Sequence, residues 1–257
     1  MTAIGTSALR SRVIAANWKM NHGPTAARAF MASFAARYAP LPDRDVLIFP
    51  PALSLAAAIA GAGERPPVGF GVQNVYWADK GAFTGESSAP MAKDAGADFV
   101  LVGHSERRHV FGETDADTAK KCAAVERAGL TPLLCVGETL EERDRGTTEE
   151  VVLRQLRAGL AELDQREATT SILAYEPVWC IGTGRTATPE DASRIHAVIR
   201  EGLRDLVGDR ARDVRILYGG SVTPDNATSL LTAPEVDGLL VGGASLDVES
   251  WLSICTA

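Results

Sequence analysis

Eight short apolar segments recur along the chain, and they constrain the fold more than any other feature of the sequence. They are rich in β-branched residues and almost continuously apolar, which is typical of parallel strands buried on both faces. Most are separated by helical patterns, such as the apolar repeat Val152, Leu156, Leu160 and Leu163. The eight segments are residues 13–16, 46–49, 68–72, 99–102, 132–136, 172–174, 214–217 and 239–241.

Eight strand–helix units within 257 residues predict an α/β protein, a single-domain (β/α)₈ barrel. An open doubly wound sheet is the alternative, because periodicity alone does not show closure of a barrel. A GxGxxG pattern does not follow the first segment, which disfavours a dinucleotide-binding sheet. We expect a flexible N-terminal extension over residues 1–11 and a catalytic barrel domain over 12–257.

Composition excludes several classes of function. The net charge of −7 disfavours nucleic acid or an anionic membrane surface as a partner. The four cysteines lack metal-binding spacing, so we expect neither a metal site nor a disulfide framework, and a reducing cytoplasm fits best. Residues 1–12 lack the apolar core of a signal peptide, and no apolar run is long enough to span a membrane.

Polar residues stand at three strand ends, where a barrel carries its chemistry. Asn17 and Lys19 follow the first segment, and His104 follows the fourth, with Ser105 expected to cap the next helix. A position at a helix N-terminus would lower the pKa of the imidazole. Glu176 ends the sixth segment, and burial would raise its pKa towards that of a general base.

Glycine pairs end the last two strands, and a glycine-bearing loop follows the sixth. Ser221 follows one pair, while Gly242 and Gly243 form the other. Backbone N–H groups at such turns bind phosphate. The loop around Gly182, between a rigid Pro-Val-Trp segment and a capped helix, is typical of a closing lid. Together these residues predict proton transfer beside the carbonyl of a small phosphorylated substrate.

Two other functions are compatible with parts of this pattern. Lys19 could form a Schiff base in a barrel aldolase, but its position after the first strand, with His104 and Glu176 both present, disfavours this. A phosphate-binding module without catalysis would have no use for Glu176 beside a hinged loop. Borohydride inactivation in the presence of substrate would indicate an aldolase, and a turnover assay would exclude the binding module.

Seven segments in one order resemble the motifs of the triosephosphate isomerase family, and they cover nearly the whole chain. The resemblance implies the TIM barrel, interconversion of dihydroxyacetone phosphate and glyceraldehyde 3-phosphate without a cofactor, and roles in glycolysis and gluconeogenesis. An isomerase acting on erythrulose phosphate is the alternative within the same chemistry. The segments are 17–21 (NWKMN), 81–86 (GAFTGE), 103–108 (GHSERR), 135–139 (CVGET), 175–179 (YEPVW), 218–222 (YGGSV) and 241–246 (VGGASL).

The resemblance also assigns roles to individual residues. It makes Glu176 the base, His104 the electrophile and proton shuttle, and Lys19 with Asn17 the groups that stabilise the oxyanion. It places Glu106 and Ser105 behind these residues and makes Cys135 a buried structural residue. The phosphate would bind the backbone N–H groups of Gly182, Ser221, Gly242 and Gly243.

The resemblance further implies a homodimer, formed by a loop that begins at Gly81, ends at Glu86 and carries Thr84 towards the partner's site. Three residues depart from the family pattern. Arg185 stands at the C-terminal hinge of the lid, where lysine is common. Cys180 stands in the lid where alanine is common, and an exposed thiol there would make the lid sensitive to oxidation. Asp247 stands where lysine is frequent and would put a negative charge near the phosphate loop.

Overall fold

The strands form one closed parallel barrel in sequential order, from β1 to β8. The computed structural model describes residues 10–64, 66–181 and 187–257. All eight predicted strands are found, with ends that differ from the prediction by at most two residues, and the open-sheet alternative is wrong because β1 pairs with β8. The strands are β1 Arg12–Asn17, β2 Arg44–Phe49, β3 Gly69–Val72, β4 Phe99–Val102, β5 Thr131–Val136, β6 Ile172–Tyr175, β7 Arg215–Tyr218 and β8 Gly238–Val241.

The apolar residues of each strand divide between two cores, which explains why the strands read as continuous apolar runs. One set fills the barrel interior, for example Val13, Leu47, Leu133 and Leu217. The alternate residues face outwards and pack against the helices, as Ile14 does. Both faces of each strand are therefore removed from water, as expected for a parallel sheet covered by helices.

Helices follow the strands and cover the outside of the barrel. The capped helix predicted after the loop around Gly182 is confirmed as α9 (Pro189–Val207), because Thr188 and Asp191 form a capping box at its start. The predicted apolar repeat 152–163 is helical only in part, because α7 ends at Gly159. The helices are α1 Pro24–Ala35, α2 Leu55–Ala62, α3 Ala89–Asp94, α4 Ser105–His109, α5 Asp115–Arg127, α6 Leu140–Asp144, α7 Thr148–Gly159, α8 Gln165–Thr170, α9 Pro189–Val207, α10 Pro224–Leu231 and α11 Val248–Cys255.

A buried ion-pair network lies at the amino-terminal end of the barrel strands. The guanidinium of Arg200 in α9 donates to Asp237 at 2.6 Å and to Glu235 at 3.0 Å. Arg10 donates to the other oxygen of Asp237 at 2.6 Å, so this residue, which belongs to the predicted extension, is bound to the barrel. In the described part of the chain, no helix is long and apolar enough to cross a membrane.

Candidate active site

The carboxyl ends of the strands surround a cavity of about 530 Å³. Asn17, Lys19, His104 and Glu176 line its floor, while Ser221, Gly242 and Gly243 line its rim. The structure thus brings together the predicted site residues, apart from Gly182, which lies outside the described residues. None of the described residues form a cluster of three or more His, Cys, Asp or Glu that could hold a metal.

Lys19 is held over the cavity by contacts to both its backbone and its side chain. Its φ of 52° lies in the left-handed region, which is unfavourable for a residue with a side chain. The Asn17 carboxamide accepts the Lys19 backbone N–H at 3.0 Å, and Gln73 donates to the Lys19 carbonyl at 2.8 Å. The ammonium donates to Glu106 at 2.7 Å. These contacts hold a cation at the entrance in one orientation.

His104 lies at the point where β4 ends and α4 begins, and its ring caps that helix. The prediction that Ser105 is the cap is wrong, because Nδ1 of His104 accepts the Glu106 N–H at 3.2 Å and Ser105 is already helical. An acceptor at Nδ1 has no proton there. A neutral ring with its proton on Nε2 therefore fits this contact and also allows a hydrogen bond to Glu176 Oε1, 2.9 Å from Nε2.

Glu176 is buried and makes two contacts with the β4–α4 junction. Besides the His104 contact, its Oε2 accepts the Ser105 N–H at 2.9 Å. Burial raises the pKa of Glu176, but His104 and the Ser105 N–H outweigh burial and hold the pKa below its usual value. For His104 burial lowers the pKa, but the Glu176 carboxylate prevails and raises it while the two groups touch.

In the unliganded protein the pKa of His104 is raised, opposite to the direction expected from the helix dipole, and the pKa of Glu176 is lowered, whereas the sequence argument expected a rise under a closed lid. The sequence argument considered burial and the helix dipole but not direct contact between the two groups, which favours the charged form of each. His104 and Glu176 stand 72 positions apart in the chain, and the sequence gives no sign of their contact.

A second network behind His104 fixes the turn that carries it. Gly103 adopts a φ of 68°, which glycine tolerates without strain. Its N–H donates to the buried carboxylate of Glu113 at 2.9 Å, and its carbonyl accepts from Arg108 at 2.8 Å. Lys121, also buried, pairs with Glu113 at 2.6 Å. Glu113 and Lys121 were not predicted from the sequence, because single charged residues in or beside a helical pattern usually belong to a solvated face.

Two further residues of the site were not predicted from the sequence. Leu240 has no sequence feature that marks it, whereas Gln73 has one. Leu240 lines the cavity from within β8, where its sequence context is that of a core residue. Gln73 is different, because an amide directly after the third strand is the same kind of signal as Asn17. Cys135 is buried, and burial, followed by the nearby Glu176 charge, raises the pKa of its thiol, so the thiol stays protonated.

The rim glycines bring the backbone close to Lys19. A Cβ added at Gly242 would lie 3.3 Å from Cε of Lys19, so a larger residue would press on the cation. Asn226 of α10 donates to the Ser221 carbonyl at 3.0 Å and fixes that loop. The rim therefore presents small, fixed backbone next to a positive charge, which suits an anionic group.

The structure bears on two of the three departures from the family pattern, since Arg185 lies outside the described residues. Cys180 is completely buried, and burial raises the pKa of its thiol to about 11, so the condition for oxidation sensitivity, an exposed thiol, is not met. The Asp247 carboxylate accepts the Ser250 N–H at 2.9 Å and caps α11. Its charge has a structural use at that helix N-terminus.

Comparisons with known proteins agree with this geometry. A family model described as triosephosphate isomerase matches residues 12–257. The triosephosphate isomerase of Alcanivorax borkumensis is 49% identical over 248 residues, covering 96% of this chain and 98% of that protein. The corresponding protein of Moorella thermoacetica is 46% identical over 246 residues, with the same coverage of both chains.

A solved structure extends the likeness to the fold. The crystal structure of triosephosphate isomerase from Bartonella henselae has a TM-score of 0.85 and 41% identity, covering 95% of this chain and 98% of that one. Sequence, fold and cavity therefore agree. The chain is an isomerase and belongs to the triosephosphate isomerase family.

Proposed function

We propose that this enzyme interconverts dihydroxyacetone phosphate and D-glyceraldehyde 3-phosphate by proton transfer through an enediolate. The observation that carries the proposal is the contact of 2.9 Å between Glu176 Oε1 and His104 Nε2 on the floor of a cavity that also contains Lys19. A carboxylate and an imidazole at one point supply both proton transfers of the reaction. The chemistry requires no cofactor, because the substrate loses no atoms and no electrons.

The reaction begins when Glu176 takes a proton from C1 of dihydroxyacetone phosphate. The electron pair of that C–H bond forms the C1–C2 double bond, and the C2 carbonyl oxygen becomes negative. His104 Nε2–H donates to this oxygen, and the Lys19 ammonium stabilises the charge. His104 then moves a proton between the two oxygens, and Glu176 returns its proton to C2, giving the aldehyde.

Substrate binding makes Glu176 a stronger base. In the free enzyme His104 and Ser105 offset the effect of burial on the pKa of this carboxylate. A substrate oxygen that replaces Glu176 at His104 removes that stabilisation, while Leu240 and Ile181 beside the cavity keep the surroundings apolar. The pKa of Glu176 then rises, as a general base requires.

The phosphate of the substrate binds, in this proposal, at the rim formed by Ser221, Gly242 and Gly243. Backbone N–H groups there and the nearby Lys19 supply positive potential that the net charge of −7 does not. Gly182 remains a predicted fourth contact.

The test of substrate is a comparison of kcat/KM on glyceraldehyde 3-phosphate and on D-erythrulose 4-phosphate. We expect the triose phosphate to be preferred by at least about tenfold, since one extra substrate carbon typically changes binding by 1–3 kcal/mol. Equal or greater efficiency on the tetrulose phosphate would establish the alternative instead. None of the relatives described above carries a name that supports that alternative.

We also propose a homodimer formed through the loop from Gly81 to Glu86. Phe83 of this loop is 42% exposed, and Met20, 95% exposed, lies near the active site. A groove beside Lys19, lined by Met20 and Phe111, would receive Thr84 of a second copy. Sedimentation should give about twice the chain mass of 27.2 kDa, and a particle of 27.2 kDa at micromolar concentration would contradict the dimer.

The remaining assignments follow from composition and chemistry. A cytoplasmic location fits four buried, unpaired cysteines. The acidic net charge favours neither nucleic acid nor a membrane as a partner.

A further inference from the structure

Arg143 contacts both chain segments that flank residues 182–186. It lies in α6, the five-residue helix after β5, and its side chain is 30% exposed. Its guanidinium carbon lies 4.1 Å from the centre of the Trp179 ring. Its Nη2 lies 3.5 Å from Oδ1 of Asp191. One side chain therefore joins the segment that leaves Glu176 to the helix that begins beyond it.

The first of these flanks is tied to a completely buried carboxylate. Glu138 accepts the indole N–H of Trp179 at 2.8 Å and the hydroxyl of Tyr175 at 3.1 Å. Burial raises the pKa of Glu138, and these hydrogen bonds and the Arg143 charge offset only part of that rise. Because Tyr175 directly precedes Glu176, this group of contacts fixes the chain on which the base is carried.

The second flank is tied to the start of α9. Oδ2 of Asp191 accepts the Thr188 N–H at 3.2 Å, closing the capping box. Oδ1 is left for Arg143, which approaches it at 3.5 Å. The carboxylate that fixes where α9 begins is thus also the carboxylate that Arg143 holds. Arg143 therefore links Trp179 to Asp191 through its stacking contact with the indole and its ion pair with the carboxylate.

We propose that Arg143 is a positioning residue for the isomerisation, setting the separation of the Trp179 flank from the Asp191 flank. Its side chain lies outside the set of described residues that line the cavity. A planar guanidinium does this well, because it stacks on an indole through its face and pairs with a carboxylate through its edge. A movement of either flank relative to the other changes one of these contacts, which couples the two flanks.

If Arg143 positions the two flanks, its replacement should lower kcat in the folded enzyme, which a purely stabilising role would not predict. On glyceraldehyde 3-phosphate we expect R143Q to lower kcat about tenfold with KM little changed, a typical size for a coupled network. R143K, which keeps the charge but loses the flat stacking surface, should lie between R143Q and the original. R145Q is the matched control, because Arg145 lies two positions further on and pairs with exposed Glu141; its kcat should be unchanged.

The decisive measurement is a pair of double-mutant cycles on kcat. The effects of W179F and D191N should be non-additive when Arg143 is present and additive in the R143Q background. Binding stoichiometry of a phosphorylated enediolate analogue, measured for each variant, corrects kcat for the folded fraction. Additive effects in both backgrounds, or an R143Q enzyme with unchanged kcat, would overturn the inference.

The inference rests on the proposed function, but the two fail in different ways. An unaltered enzyme with no triose phosphate turnover would refute the proposed function. A fully active enzyme whose R143Q variant is equally active would refute only the role of Arg143.

Discussion

The two ends of the barrel both bury charged groups, but they pair them differently. At the amino-terminal end of the strands, Asp237 accepts from Arg10, from Arg200 and from the Ile216 N–H. At the carboxyl end, Glu176 accepts from groups of the β4–α4 junction, His104 and the Ser105 N–H. Those two donors are also the surface that a substrate must approach.

The difference indicates what each set of charges is for. The Arg200 guanidinium donates to two carboxylates and to the carbonyls of Ala211 and Val214, so its hydrogen-bonding capacity is largely used inside the protein. The partners at the carboxyl end line an open cavity and, in the proposed mechanism, are exchanged during turnover. Buried charge therefore supports the fold at one end and the chemistry at the other.

The largest expected effect is on turnover, when the base at the carboxyl end is removed. E176Q keeps the size of the side chain but not its basicity, so kcat on glyceraldehyde 3-phosphate should fall by about 10²–10⁴-fold, the usual contribution of a general base. Circular dichroism should show an unchanged fold. The exposed Glu141, replaced by Gln, is the control and should retain full activity. An E176Q enzyme within about threefold of the original kcat would show that another group is the base.

The next effect is on stability, when the network at the other end is broken. D237A leaves Arg200 buried and short of a partner, which typically costs about 3–5 kcal/mol of unfolding free energy. Denaturant titration measures this change, and kcat/KM of the folded fraction should stay within about twofold. The matched control is D45A, whose carboxylate pairs with Arg215 at the surface and should cost no more than about 1 kcal/mol. Equal destabilisation by D237A and D45A would contradict the comparison.

A smaller effect on the unfolding free energy, which depends on pH, comes from the His104–Glu176 contact. The lowered pKa of Glu176 gives stability that is present above its usual 4.5 and lost as pH falls through the lowered value. The raised pKa of His104 gives stability that is present below its usual 6.5 and lost as pH rises through the raised value. The unfolding free energy of the original protein minus that of E176Q should therefore be largest between these values. A difference independent of pH would contradict the pairing.

The smallest effect concerns Cys180, which is buried beside the carboxyl end but belongs to neither network. C180A removes a thiol that is protonated at neutral pH, because burial raises its pKa to about 11. We expect kcat/KM within about twofold of the original and a folded protein whose Cys180 resists a thiol reagent. Rapid modification of Cys180 in the native state, detected by mass spectrometry, would contradict its burial.

The sequence predicted the fold and the identities of the site residues better than it predicted the contacts between those residues. Apolar segments predicted all eight strands, because burial on both faces leaves a direct mark on residue type. Asn17, His104 and Glu176 were found because polar residues interrupt those runs at strand ends. The contact of Glu176 with the Ser105 N–H was not predicted, because it depends on the distance between two loops. The capping role of His104 was not predicted, because serine is a much commoner cap residue than histidine. The effect of the His104–Glu176 contact on the two pKa values could not be predicted without that distance.

The central claim is that the pairing of Glu176 is exchanged for substrate while that of Asp237 is permanent. A crystal structure with a phosphorylated enediolate analogue tests this most directly. We predict that Glu176 Oε1 leaves His104 Nε2, from which it is 2.9 Å away in the free enzyme, and that a ligand oxygen takes its place. The Arg200–Asp237 distance should stay at 2.6 Å. A complex with analogue in the cavity and Glu176 still bound to His104 and the Ser105 N–H would contradict the account.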